Sequence, residues 1–187
     1  MKIVLASASP RRRELLSMVH KDFSVRVSDI DERYDGTSVY EWIKSLAKSK
    51  AYAVPSSDDE IVIGCDTVVV NKGEILGKPK DRENAISMLK SMSNTTHEVV
   101  TGVCVKKGEI YYTDAVVTKV TMREISLHEI ETYVDTYAPF DKAGAYGIQE
   151  MAGAFVSHID GDYFNIVGLP LCRLTEIFKE QFGVSLI

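Results

Sequence analysis

Residues 2–13, KIVLASASPRRR, decide how the rest of the chain is read. Lys2–Ala6 is a short apolar run and reads as a buried strand. The turn Ser7-Ala8-Ser9-Pro10 then opens a helix, with Ser9 at the N-cap and Pro10 at the first helical position. A strand that feeds directly into a helix points to an α/β arrangement. The same turn gathers backbone N–H groups at a helix start, where anions bind.

Outward from this unit, Val25–Val27 reads as a second strand, and Ser38 with Glu41 forms a capping box for a helix to about Ala53. Ile61–Gly64 and Thr67–Val70 are apolar and β-branched, and Asn71–Glu74 (NKGE) makes a tight hairpin. Asp81 caps a helix through Met92, and two strands, His97–Val105 and Ile110–Met122, flank Lys107-Gly108. Ser126 and Glu129 form a second capping box, for a helix to about Tyr137. Phe155–Ile159 and Tyr163–Val167 read as a hairpin around Asp160-Gly161, and Pro170 opens a last helix. Helices interleaved with hairpins predict an α/β fold with a mixed twisted sheet and flanking helices, rather than a purely parallel sheet. No repeat or long linker interrupts the 187 residues, a length that suits one domain, plain or two-lobed.

Composition narrows the classes. With 45% hydrophobic and 26% charged residues the chain is globular, which excludes disordered and collagen-like classes. Twenty-two basic against 27 acidic residues leave a net charge of −5, a poor match to duplex nucleic acid, which needs a basic face. That balance does not exclude a small local basic site. Cys65, Cys104 and Cys172 are scattered and form no CxxC pair, which argues against a disulfide framework or a zinc knuckle. No run approaches the length of a membrane span, and the N-terminus lacks a signal-type apolar region. The expectation is a soluble cytoplasmic protein with no membrane partner and no stable nucleic-acid complex.

Chemistry is sought where residues break local rules. Arg11, Arg12 and Arg13 crowd the first turn of a helix, against its dipole and against one another. They read either as a phosphate clamp, with Arg13 turned outward, or as a solvated basic turn. Lys50 continues the stripe Val39, Ile43, Leu46, 50, Val54, so it either snorkels outward or reaches inward to an anion. Asp66 sits inside IVIGCDTVVV, either as a turn aspartate between two short strands or as a carboxylate held for use as a base or metal ligand. Gly64 before it signals a bulge or a close backbone approach. Glu32 lies in the acidic run Asp29–Asp35, Lys78 is fixed by Pro79, and residues 142–149 (KAGAYGIQ) combine two glycines with Tyr146. Solvated loops and a tight structural turn are the plainer readings of these three segments. GxxxxGK[ST], GxGxxG and GxSxG motifs are absent, and the four histidines lack metal spacing.

Seven segments in order, covering essentially the whole chain, resemble the Maf family of nucleotide pyrophosphatases. They are SASPRR at 7–12, the acidic segment ending in Glu32, SKA at 49–51, GCDTVV at 64–69, GKP at 77–79, DKAGAYGIQ at 141–149 and NIVGLPL at 165–171. The resemblance implies two lobes around a cleft, similar to inosine triphosphatase. It implies hydrolysis of nucleoside triphosphates to monophosphate plus pyrophosphate with a divalent cation (Mg, Mn or Co). It implies Asp66 as proton acceptor, with Glu32, Lys50 and Lys78 as further catalytic positions. Ser7, Arg11, Arg12, Thr67 and Gln149 match substrate-binding positions, and Asp66 and Glu32 metal-binding ones. Arg11, Thr67 and Gln149 look like the marks of the subgroup acting on dTTP and UTP, with modified uridine nucleotides as further candidates.

Four cations in this set oppose a strongly anionic triphosphate. The amide of Gln149 can match the N–H and carbonyl edge of uracil or thymine, and a flipped amide would match cytosine. The resemblance suits house-cleaning of nucleotide pools and leaves a link to septum formation open. The alternatives are the sibling subgroup acting on 7-methyl-GTP and a non-catalytic nucleotide-binding regulator of cell division. A homodimer is compatible with the sequence but not legible in it.

Overall fold

The computed structural model describes residues 2–27, 29–34 and 36–187. Among them run β1 (Lys2–Ala6), α1 (Pro10–Val19), β2 (Phe23–Val25), α2 (Val39–Ala53), β3 (Glu60–Asn71), β4 (Glu74–Leu76) and α3 (Arg82–Met92). There follow β5 (Thr96–Lys107), β6 (Ile110–Met122), α4 (Leu127–Tyr137), β7 (Val156–Asp160), α5 (Tyr163–Val167) and α6 (Leu171–Phe182). Short 3₁₀ turns lie at Ala143–Ala145 and Met151–Phe155. The strands form a mixed sheet in the order β2-β1-β3-β5-β6-β7, with β4 pairing β3. β1 is parallel to β2 and β3, while β3/β4 and β6/β7 are antiparallel. This is the mixed sheet with helices that the alternation of signals predicts. Among the described residues no helix is long and apolar enough to cross a membrane.

The chain divides into two compact units. The first contains the described residues of Met1–Thr67, with Thr101–Val116 and Gly168–Ile187; the second contains Val68–Val100 and Val117–Val167. In the first unit β1 and β3 pair in register from Lys2 with Glu60 to Ala6 with Gly64. The turn after β1 therefore leaves the sheet beside Cys65 and Asp66. Two glycines set how close α2 lies to the strands. A Cβ on Gly64 would stand 2.3 Å from the carbonyl oxygen of Ala47, and one on Gly102 would stand 2.2 Å from that of Ile43. Only hydrogen fits at such an approach, so Gly64 marks the close contact that its place in the sequence suggests. Small residues fill the space between helix and strands, among them Ala6, Ala47, Ala51, Val62 and Cys104.

In the second unit α3 packs on α4, and Leu89, Met92, Val99, Val120, Ile130 and Tyr133 form the core. His97 of β5 is buried there, its Nε2 2.7 Å from the Tyr146 hydroxyl. Burial pushes the imidazole pKa down from 6.5 to about 4. The unfolded chain therefore takes up a proton near pH 6.5 that the folded chain refuses until about pH 4. Stability is full above that window and falls as the pH drops through it, by about 3 kcal/mol in all. This loss is expected to vanish in His97→Gln. Urea unfolding at about pH 7 and about pH 4.5 checks it, since the wild type should lose more stability between the two than the variant.

Three local expectations are corrected. Tyr163–Val167 is not the second arm of a hairpin but the helix α5. Asp162 Oδ1 accepts the Phe164 N–H at 2.7 Å, a cap that overrides the strand preference of an aromatic, β-branched run. Ser38 sits at the N-cap of α2 but its side chain makes no capping bond, and Glu41 pairs with Lys44 at 2.6 Å instead. The second strand is Phe23–Val25 rather than Val25–Val27. The other caps stand: Ser9, Asp81 and the Ser126/Glu129 box each accept the expected N–H. The NKGE turn places Lys72 and Gly73 at φ 52° and 83°, the pair of positive values that a tight hairpin needs. Asp35, the end of the acidic run, lies outside the described residues.

Candidate active site

Ser9 caps α1, Pro10 starts it, and the arginine turn that follows points its members in different directions. Arg13 is exposed, as expected, Arg11 is half-buried, and Arg12 is buried. Arg12 Nε donates to the Gly168 carbonyl at 2.9 Å, Nη1 to Ser7 Oγ at 3.2 Å and Nη2 to Thr67 Oγ1 at 3.1 Å. Nη2 also lies 3.5 Å from Asp66 Oδ1. The cost of a cation in the first helical turn is thus offset by three hydrogen bonds and a carboxylate. Arg12 is a strut joining the β1–α1 turn, β3 and the segment before α6, with at least three of its five N–H groups already committed.

Lys50 resolves inward. It lies in line with Ile43, Leu46 and Val54 on the buried face of α2, and its side chain is only 10% exposed. Its ammonium stands 2.9 Å from Asp66 Oδ1 and 2.7 Å from Glu32 Oε1. The reach is set by the Gly64 contact, which lays the Ala47–Ala51 turn of α2 directly on β3 two residues before Asp66. A buried lysine without such partners would be strongly unfavourable.

Asp66 lies inside one continuous twelve-residue strand, not in a turn between two short ones. Its side chain is 15% exposed. Lys50 and Arg12 both meet Oδ1, and among the described residues Oδ2 takes no ion pair or hydrogen bond. The arrangement fixes one carboxylate oxygen and leaves the other available as a proton acceptor or a ligand. Thr67 Oγ1 is 2.9 Å from Thr101 Oγ1, so the hydroxyl that Arg12 meets is oriented from β5 as well.

The structure thus brings Ser7, Arg12, Glu32, Lys50, Asp66 and Thr67 together within the first unit. Lys78 and Gln149 are both exposed in the second unit. Their segments are tied there by the Gly144 N–H, which donates to the Gly77 carbonyl at 3.0 Å. Two contributors escape sequence reasoning. Thr101 is an ordinary strand residue in an apolar run and carries no signal. Gly168 lies in the NIVGLPL segment, but its role is a carbonyl at φ 121°, which no side-chain pattern can announce.

A divalent cation fits the donor set. Glu32 and Asp66 each place a carboxylate oxygen on the same ammonium, hence near each other, and hard oxygen donors suit Mg or Mn. Among the described residues no group of three or more His, Cys, Asp or Glu is placed to hold a metal ion. A cation held by two carboxylates would complete its shell with water and phosphate oxygens, the habit of Mg.

The family profile described as Maf-like protein matches residues 2–181. The chain belongs to the Maf family. A dTTP/UTP pyrophosphatase of Clostridium novyi (strain NT) is 48% identical over 194 residues, covering 100% of both chains. One of Acetivibrio thermocellus is 47% identical, over 100% of this chain and 98% of the relative. Among solved structures, the Staphylococcus aureus Ham1 protein is 20% identical with a TM-score of 0.45, covering 67% of this chain and 72% of that one. As a Maf-family chain it holds SASPRR and GCDTVV, the two segments that supply Arg12, Asp66 and Thr67.

Proposed function

We propose that this protein hydrolyses dTTP and UTP to the monophosphate and pyrophosphate. What carries the reading is the Asp66 carboxylate held by Lys50 and Arg12, in a chain whose full-length relatives bear that name. Water attacks the α-phosphorus, a P–O bond forms, and the bond to the bridging oxygen breaks, so that pyrophosphate leaves. Asp66 Oδ2 accepts the proton of the attacking water while Lys50 and Arg12 hold Oδ1. Lys50 and Arg11 offer positive charge to the phosphates, and Ser7 and Thr67 keep the Arg12 fork in place. Glu32 and Asp66 would hold a divalent cation, which when bound neutralises phosphate charge and acidifies water. Lys78 adds a further cation for the triphosphate. The amide of Gln149 selects uracil and thymine through their N–H and carbonyl edge. Thymine and uracil differ by one methyl group, worth about 1–3 kcal/mol, so both are accepted.

The test is a panel of nucleoside triphosphates with Mg, Mn or Co and separation of the products. UMP and dTMP with pyrophosphate are expected. Release of single phosphate would refute the bond assignment, and a preference for 7-methyl-GTP would move the chain to the sibling subgroup.

A further inference from the structure

Lys142 is buried, with a side chain only 10% exposed, and the chemistry above leaves it without a role. Its ammonium is 2.8 Å from Asp141 Oδ1 and 3.3 Å from Glu150 Oε1. Its stem runs against Gly147, where a Cβ would stand 2.9 Å from Lys142 Cε. One side chain therefore spans the segment from 142 to 150, crosses it at Gly147 and ends on the residue beside Gln149.

The rest of the segment is anchored at both flanks. Gly144 is bonded to Gly77, Tyr146 to His97, and the Glu150 N–H donates to the Gly147 carbonyl at 3.1 Å. Gln149 itself is exposed. An exposed amide can turn over and exchange its donor and acceptor faces unless its backbone is held.

We propose that Lys142 is a positioning residue for base selection, acting through Glu150 and Gly147 to hold the Gln149 amide in the sense that matches uracil rather than cytosine. The inference rests on the function proposed above. Removing the Lys142 charge leaves the Asp141 and Glu150 carboxylates without their shared cation and frees the backbone of Gln149.

The experiment compares UTP and CTP hydrolysis by the wild type, Lys142→Met, Lys142→Arg and Glu150→Gln. In Lys142→Met the ratio of kcat/KM for UTP over CTP is expected to fall about tenfold, through KM, while kcat for UTP stays within about twofold. Lys142→Arg restores the ratio, and amide exchange over residues 147–150 speeds up in Lys142→Met and Glu150→Gln alike. If Lys142→Met fails to fold, Glu150→Gln decides, because its side chain is exposed. A wild type that prefers UTP, with an unchanged ratio in the variants, overturns this inference alone. A wild type that hydrolyses both nucleotides equally removes the base selection assigned to Gln149, and this inference with it, while leaving the hydrolysis itself in place. A wild type that cleaves neither removes the proposed function, and this inference with it.

Discussion

Asp66→Asn is expected to lower kcat for UTP by about a thousandfold, with KM changed by less than about threefold. The amide keeps the shape of the side chain, so Lys50 and Arg12 still meet an oxygen, but it can neither accept a proton nor serve as an anionic ligand. Glu32 remains 2.7 Å from Lys50, so the ammonium keeps one carboxylate and the fold survives. Steady-state kinetics together with thermal unfolding check both halves. A variant that retains a tenth of the wild-type kcat would remove Asp66 from the chemistry and shift the base to Glu32. If overproduction of the variant blocks division as the wild type does, and the variant still binds nucleotide, a regulatory role is separable from hydrolysis.

Arg12→Lys is expected to damage the fold as well as the reaction. An ammonium is a point donor and cannot meet Gly168, Ser7 and Thr67 together. At least two buried partners lose a charged donor, which costs about 2–4 kcal/mol. Against a total of about 5–15 kcal/mol that loss is large. Urea unfolding should show the midpoint falling with an unchanged slope. The remaining activity should fall about tenfold, because Thr67 and Asp66 lose the fork that holds them. Stability within about 0.5 kcal/mol of wild type would show that the guanidinium is a ligand for substrate rather than a strut.

The legible parts of the fold share a cause: their signals are local. Ser9-Pro10, Asp81 and the Ser126/Glu129 box announce helix starts because the capping partner lies three residues away. Lys50 is visible because a charge in an apolar stripe is a contradiction, and the structure resolves it with Asp66 and Glu32. The choice between clamp and solvated turn for the arginines had no local answer. Arg12 is turned inward by Gly168 and Thr67, residues 156 and 55 positions away. The α5 helix is illegible in the sequence for the same reason. Its strand-like composition is outweighed by a cap at Asp162, whose N–H donates to the hydroxyl of Thr118 on the neighbouring strand β6, 44 residues away in sequence. Thr101 remains unreadable from sequence because nothing distinguishes it from any strand threonine until Thr67 lies 2.9 Å away.

The approach of α2 to β3 and β5 through Gly64 and Gly102 is a contact of main chain on main chain, and main chain has no rotamers. Those glycines act as a spacer of fixed thickness under the helix that carries Lys50. The height from which Lys50 reaches down to Asp66 is therefore set by main chain, and only the last part of that reach belongs to side-chain rotamers. A methyl group added at either glycine would have to lift α2 from the strands, and the ammonium it carries would rise with it, away from the carboxylate.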